Sequence, residues 1–133
     1  MAKPVSTLKR KCDIEFSNII RSSGVCARCG KYAEGWNLHC AHIYTRGNHA
    51  IRWDPMNAIP LCAGCHRWGH DNPLDFATFI RDKYPGRYDY LQEAKDLIVR
   101  RRYDDYVELL ATLKKRDIKA LMVIGGDFDG PDS

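Results

Sequence analysis

Two matched Cys-x-x-Cys motifs, at 26–29 and 62–65, constrain the fold of this chain more than any other feature of its sequence. A Cys-x-x-Cys turn can point both sulfurs at one ion, and four thiolates around Zn²⁺ form a closed, structural site. The N-terminus has no hydrophobic signal region, and in such a chain paired motifs indicate metal binding more than disulfide bonds. We therefore predict a structural zinc ion held by Cys26, Cys29, Cys62 and Cys65.

Two alternatives to the four-thiolate site stay open at this stage. His39 or His66 could replace one of the sulfur ligands. The motifs could also be redox dithiols, although a thioredoxin-type site requires one motif after a strand in a βαβ setting, and two pairs around a histidine-rich segment favour metal. The remaining cysteines, Cys12 and Cys40, are predicted to be small buried side chains.

Length and charge limit the functional classes. The 133 residues, 29% of them charged, are enough for a single domain (1–133) with a modest core. No apolar run approaches the roughly 18 residues of a membrane span, so we expect no membrane partner and a cytoplasmic location. The net charge of +4, with several acidic residues confined to the C-terminal tail, suits a phosphate-bearing partner without proving one.

Hydrophobic periodicity predicts an α+β fold that is mostly helical. An N-terminal helix over 7–23 carries an apolar stripe and ends near Gly24. Within 25–72, two short strands, 36–42 and 57–61, and a helix opened by the second Cys-x-x-Cys motif form a ββα unit, with Pro60 indicating an edge strand. The segment 73–116 is predicted to be helical, in three helices over 73–84, 87–101 and 103–116, and a flexible tail covers 125–133.

Histidines near the cysteine motifs are suited to phosphodiester hydrolysis. That reaction needs an activated water and a charge sink for the phosphate oxygens, which a neutral imidazole and a divalent cation can supply. His42, at the end of the first strand, is the best candidate for the base. His66 follows the zinc ligand Cys65 directly and is the best candidate for a metal ligand. His70, four residues further along, shares its helix face.

The combined pattern resembles the HNH, or ββα-metal, nuclease superfamily, and is most similar to the lambda-type NinG (Rap) recombination endonucleases. The Cys-x-x-Cys motifs and the histidines carry the specific part of the resemblance, which covers roughly 9–113. Further matching residues are Cys12 and Asp13 in the first helix, the His39-x-x-His42 spacing, Arg46 and Gly47, and the Ile51-Arg52-Trp53-Asp54 approach to Asn57.

The resemblance implies a zinc-stapled ββα-metal core and a metal-dependent DNA endonuclease. His42 would be the general base, Asn57 would tie the loop to the base, and His66 would bind a catalytic Mg²⁺, Mn²⁺ or Ni²⁺ ion. It also implies DNA recombination or processing in a phage, on double-stranded or branched DNA with little sequence specificity, in the bacterial host cytoplasm. A homodimer would suit paired cuts, and the sequence does not demonstrate one.

One position departs from the common HNH pattern. Many members place a metal ligand directly before the base, and this chain has Ala41 there. Residues 39 and 41 lie on the same side of a strand, so we predict that His39 supplies the missing ligand, together with His66 and His70. The alternatives are that His39 only packs and that His70 faces solvent. Arg46 is predicted to clamp a DNA phosphate, and a solvated loop arginine is the alternative.

A competing hypothesis treats the whole chain as a non-catalytic zinc module that binds nucleic acid or protein. In that case His39, His42 and His66 would serve in packing or in phosphate contacts.

Overall fold

The computed structural model describes residues 3–129, and about half of the chain is helical. The fold is α+β: six helices surround a two-stranded antiparallel sheet. In chain order the elements are α1 (Ser6–Ile20), β1 (Leu38–His42), β2 (Ala58–Cys62), α2 (Ala63–Asp71), α3 (Pro73–Lys83), α4 (Pro85–Ala94), α5 (Tyr103–Lys114) and α6 (Ile118–Leu121). Among the described residues, no helix has the length and apolar character needed to cross a membrane.

Helix α1 buries one apolar stripe, as its periodicity predicts. Cys12 and Phe16 are almost fully buried and pack in one cluster with Tyr106 and Leu113 of α5. The helix ends at Ile20, three residues before the predicted end, because the following backbone turns back on itself and reaches a positive φ of 72° at Gly24. Helices α1 and α5 thereby form one side of the core.

The two strands pair in a register that places His39 opposite Leu61 and Cys40 opposite Pro60. A short 3-10 turn precedes each strand, so both begin one or two residues later than predicted. The carbonyl of Pro60 accepts a hydrogen bond from the amide of Ala27 at 2.8 Å. The first Cys-x-x-Cys turn therefore docks against β2, the strand that we expected to lie at an edge.

The helix predicted over 87–101 is shorter than expected and ends at Ala94. Its apolar pattern continues through Leu97 and Ile98, but these side chains are 40% and 85% exposed and do not enter the core. The chain instead turns back towards the loop after β1. Arg101 donates a hydrogen bond to the carbonyl of His49 at 2.8 Å and stacks its guanidinium over Trp53. These tertiary contacts outweigh the local preference for helix.

A buried arginine ties the end of the described chain to the sheet. Arg87 in α4 is 1% exposed; one of its nitrogens donates to the carbonyl of Ala58 at 2.9 Å, and two others donate to the carboxylate of Asp129 at 2.9 and 3.1 Å. Phe128 packs beside the cluster that includes Met122 and Leu91. The predicted flexible tail, 125–133, therefore makes defined contacts up to residue 129, and residues 130–133 lie outside the described chain.

We expect Asp129→Asn to lower the free energy of unfolding by about 1–3 kcal/mol, because it removes the charge that compensates a buried guanidinium. Chemical denaturation, monitored by circular dichroism, measures this loss of unfolding free energy. Asp127→Asn, which changes an exposed carboxylate two residues away, is the matched control and should be nearly neutral. Equal stability of the two variants would contradict the assigned role of the Arg87–Asp129 pair.

Candidate metal centre and histidine groove

The four cysteines of the two motifs converge on one point. The sulfur atoms of Cys26, Cys29, Cys62 and Cys65 all lie within 4.8 Å of one another, and those of Cys29 and Cys62 are 3.8 Å apart. A tetrahedral zinc ion with Zn–S bonds of about 2.3 Å separates its sulfurs by about 3.8 Å. The donor set and its spacing therefore fit a structural zinc ion.

Backbone turns on two different elements bring these sulfurs together. The first motif forms a turn closed by a positive φ of 74° at Gly30 and by a bridge between Val25 and Tyr32. The second motif spans the junction of β2 and α2, where Cys62 caps the helix and its sulfur accepts from the amide of Cys65 at 3.5 Å. Metal binding at this centre would join the first turn to the strand–helix junction.

The surroundings of Cys26 and Cys65 shift the pKa values of these two thiols in opposite directions. Burial raises the pKa of Cys26, but hydrogen bonds from the backbone at Cys29 and Cys62 outweigh burial and lower that pKa to about 6. Burial and hydrogen bonds with neighbouring thiols raise the pKa of Cys65 to about 12, against a lowering contribution from Arg28. A divalent cation deprotonates coordinating thiols, so zinc would remove this difference and stabilise all four thiolates.

Arg28 packs between the cysteine cluster and an aromatic side chain of α2. Its guanidinium lies 3.5 Å from the sulfur of Cys65 and stacks on the ring of Trp68 at 3.6 Å. Trp68 in turn packs edge-on against Phe76 and Phe79 of α3. This stack connects the metal centre to the C-terminal helices.

Cys62→Ser should abolish stoichiometric zinc and leave the domain largely unfolded, because zinc binding contributes about 10 kcal/mol or more to the folding of small zinc domains. Elemental analysis and thermal unfolding of the purified variant measure both effects. Cys40→Ala, which changes a cysteine outside the cluster, should retain one zinc per chain. A Cys62→Ser protein that melts like the wild type would contradict a structural zinc site.

An open groove of about 860 Å³ lies beside β1 and α2. It is lined by the histidines and the arginine singled out in the sequence, namely His39, His42, His66, His70 and Arg46. The fifth histidine, His49, is exposed and does not line the groove.

His42 is oriented by a backbone carbonyl. Its Nε2 lies 3.1 Å from the carbonyl oxygen of Arg52, which can only accept, so Nε2 carries the proton and Nδ1 keeps its lone pair. The ring packs on Phe16 at 5.5 Å between centroids. Burial lowers the pKa of His42, partly offset by the hydrogen bond to Arg52. The imidazole is thus held neutral and half-buried at the groove, as a general base requires.

Asp13 on α1 fixes the loop that orients His42. Its carboxylate accepts from two nitrogens of Arg52, at 2.6 and 3.1 Å, and from the indole of Trp53 at 2.9 Å. Sequence reasoning did not assign Asp13 a role in the site, although Asp13 and Arg52 both belong to the residues that carry the HNH resemblance. Asp13 acts on the site through Arg52 and does not itself contact His42 in the hydrogen-bond network.

His39 and His66 form a close pair between β1 and α2. Their Nδ1 atoms are 2.8 Å apart, and Nε2 of His39 donates to the carbonyl of Trp36 at 3.0 Å. The lone pair of His39 Nδ1 therefore faces His66. Burial, and then the neighbouring histidines His70 and His39, lower the pKa of His66. Imidazole nitrogens are common metal ligands, so this pair is a candidate for metal binding.

The predicted three-histidine metal site is only partly assembled. The rings of His66 and His70 have centroids 4.7 Å apart, and His39 contacts His66 on its other side. Across residues 3–129, however, a convergence of three or more ligand atoms occurs at the four cysteines and not at these histidines. The structure therefore brings His39 and His66 together as a pair, with His70 adjacent to His66.

Asn57 and Arg46 occupy different environments. Asn57 is fully buried; its amide group accepts from the backbone N–H of Tyr44 at 2.8 Å and donates to the carbonyl of Tyr44 at 2.9 Å. It thus ties the chain after His42 to the start of β2. The side chain of Arg46 is 62% exposed and lies 3.6 Å from Asp13, so it is available at the groove.

A second hollow, a mainly apolar cavity of about 400 Å³, adjoins the groove at the same histidines. His42, His66 and His70 line both this cavity and the groove. Its walls include Phe76 and Leu91 from the C-terminal helices. The two hollows therefore share these three histidines, and arginine side chains line the groove but not the cavity.

Comparisons with protein families, with curated proteins and with solved structures found no match to this chain.

Proposed function

We propose that the protein is a metal-dependent endonuclease of the HNH type that hydrolyses phosphodiester bonds in DNA. The observation that carries the proposal is His42. Its Nε2 is fixed by the Arg52 carbonyl, its Nδ1 has no hydrogen-bond partner among residues 3–129, and it lines the same groove as the His39–His66 pair. A water molecule beside Nδ1 could lose its proton to this base during attack on phosphorus.

The His39–His66 pair supports a catalytic cation in the groove. Two imidazole nitrogens bound at about 2.0–2.1 Å and at the right angle of an octahedral ion lie about 2.9 Å apart, close to the separation of 2.8 Å between the two Nδ1 atoms. A bound divalent ion would neutralise the phosphate charge and stabilise the leaving oxygen. Imidazole ligands favour Mn²⁺, Ni²⁺ or Zn²⁺ more than a carboxylate site would.

Two further residues would support the reaction. Asn57, which is buried and does not line the groove, would hold the chain that follows the base. Arg46 is exposed beside the histidines and could bind a phosphate oxygen of DNA. Contacts of this kind are made mostly to the DNA backbone, so binding should weaken strongly with salt and discriminate little between sequences. A role in phage recombination on branched DNA rests on the NinG resemblance alone.

The second candidate is a non-catalytic zinc module that binds nucleic acid. It is favoured by one observation: the 2.8 Å distance between His39 and His66 also fits a direct hydrogen bond with no metal present.

Incubation of the zinc-loaded protein with linear, flapped and four-way DNA, in Mg²⁺, Mn²⁺ or Ni²⁺, separates the two candidates. Absence of cutting under every condition would favour the module.

His42→Ala should reduce the rate of DNA cleavage by about 100-fold or more, because the general base is lost. Single-turnover cleavage of a labelled duplex or junction measures this rate, and thermal unfolding verifies that the fold is intact. His49→Ala is the matched control, since His49 is an exposed histidine outside the groove. A His42→Ala protein that cuts as fast as His49→Ala would contradict the assignment of the base.

The cleavage rate should rise with pH with an apparent pKa below 6.5, the ordinary value for histidine. Burial lowers the pKa of His42, so the neutral, proton-accepting form persists as the pH falls and is lost only below the ordinary range. Single-turnover cleavage rates, measured over a pH series at saturating metal, give the midpoint of this rise. A rise of the cleavage rate with its midpoint above pH 7 would show that a group other than His42 limits the reaction.

A further inference from the structure

Trp36 at the rim of the groove is 93% exposed. The other two tryptophans are in contact with the protein: Trp53 is 1% exposed, and Trp68 packs against Arg28, Phe76 and Phe79. Tryptophan contributes a large contact area when it is covered by a partner, and such side chains are enriched where proteins bind partners. Trp36 therefore offers an unused aromatic face beside the histidines.

The backbone that carries Trp36 is fixed from both sides. Gly35 begins a 3-10 turn with a φ of 56°, and its carbonyl accepts from the guanidinium of Arg21 at 3.1 Å. The carbonyl of Trp36 accepts from Nε2 of His39 at 3.0 Å. The indole is thus displayed on a held turn next to a proposed metal ligand, which reduces the entropy lost when a partner binds.

The charge of the groove defines the chemistry of that partner. Arg10, Arg21 and Arg46 line it together with Trp36. The acidic residue in its wall, Asp13, is already engaged by Arg52 at 2.6 Å. A partner for this surface therefore carries negative charge along its length and presents planar faces that can stack on indole, and a nucleic-acid strand combines both properties.

We propose that Trp36 stacks on a nucleobase of a single-stranded DNA segment that passes along the groove. This inference rests on the proposed nuclease function. It specifies that the DNA bound in the groove next to the histidines is single-stranded. Bases inside a continuous duplex have both faces covered by their neighbours, whereas a base in a single strand has a free face for the indole.

The test measures binding of a short oligothymidine, and of a blunt duplex of the same length, to the zinc-loaded protein without added catalytic metal, so that the DNA stays intact. Stacking should quench the tryptophan fluorescence of the wild type with the single strand. The quenching should disappear in Trp36→Phe, which retains only Trp53 and Trp68. Trp36→Ala should bind the oligothymidine about tenfold more weakly, and Trp36→Phe should recover most of the affinity.

Leu74→Ala is the control, because Leu74 is 84% exposed and does not line the groove. It should bind like the wild type. Quenching that persists in Trp36→Phe, or affinity that is unchanged in Trp36→Ala, would overturn the stacking proposal. Cleavage is measured separately with Mn²⁺. If the wild type and Trp36→Ala cut DNA equally well, the stacking proposal is contradicted and the nuclease assignment is not. If the wild type binds the oligothymidine through Trp36 but cuts no DNA, only the nuclease assignment is contradicted.

Discussion

The convergence of four cysteine sulfurs is the interaction on which the rest of the structure depends. A two-stranded sheet is marginally stable alone in water, and here β1 and β2 are the only strands within residues 3–129. The first Cys-x-x-Cys turn contributes one backbone hydrogen bond to Pro60, while its sulfurs meet those at the start of α2. A zinc ion held there would convert metal-binding free energy into the stability of the strand–helix junction.

Two separate supports then position the histidines of the groove. His66 follows Cys65 of the cysteine cluster in α2, and His39 lies across from Leu61 in the sheet, so a metal ion bound by the cysteines would also stabilise this pair. His42 depends instead on α1, since the carbonyl that orients it belongs to Arg52, which is anchored by Asp13. Correct packing of the N-terminal helix is therefore as important for the orientation of His42 as the cysteine cluster is for the histidine pair.

The local parts of this arrangement follow from the sequence, and the parts made by distant residues do not. Cys-x-x-Cys spacing predicts metal ligands because the turn itself aims both sulfurs, and the short segments on either side of the polar loop predict β1 and β2 to within two residues. The end of α4 could not be predicted, because it is set by contacts of Arg101 with His49 and Trp53. The pairing of Arg87 with Asp129 joins a helix to a tail whose composition indicates disorder. Helical spacing places His66 and His70 on one face but does not fix their distance to His39, so the three-histidine metal site stays a prediction.

The most direct test of the central claim is anomalous diffraction, at the zinc and manganese absorption edges, from crystals grown with Mn²⁺. We expect zinc bound by Cys26, Cys29, Cys62 and Cys65 at about 2.3 Å, and manganese bound at the Nδ1 atoms of His39 and His66. We also expect Nδ1 of His42 to face the groove without a bond to either metal. Zinc coordinated by a histidine in place of a cysteine, or manganese bound directly to His42, would contradict these assignments.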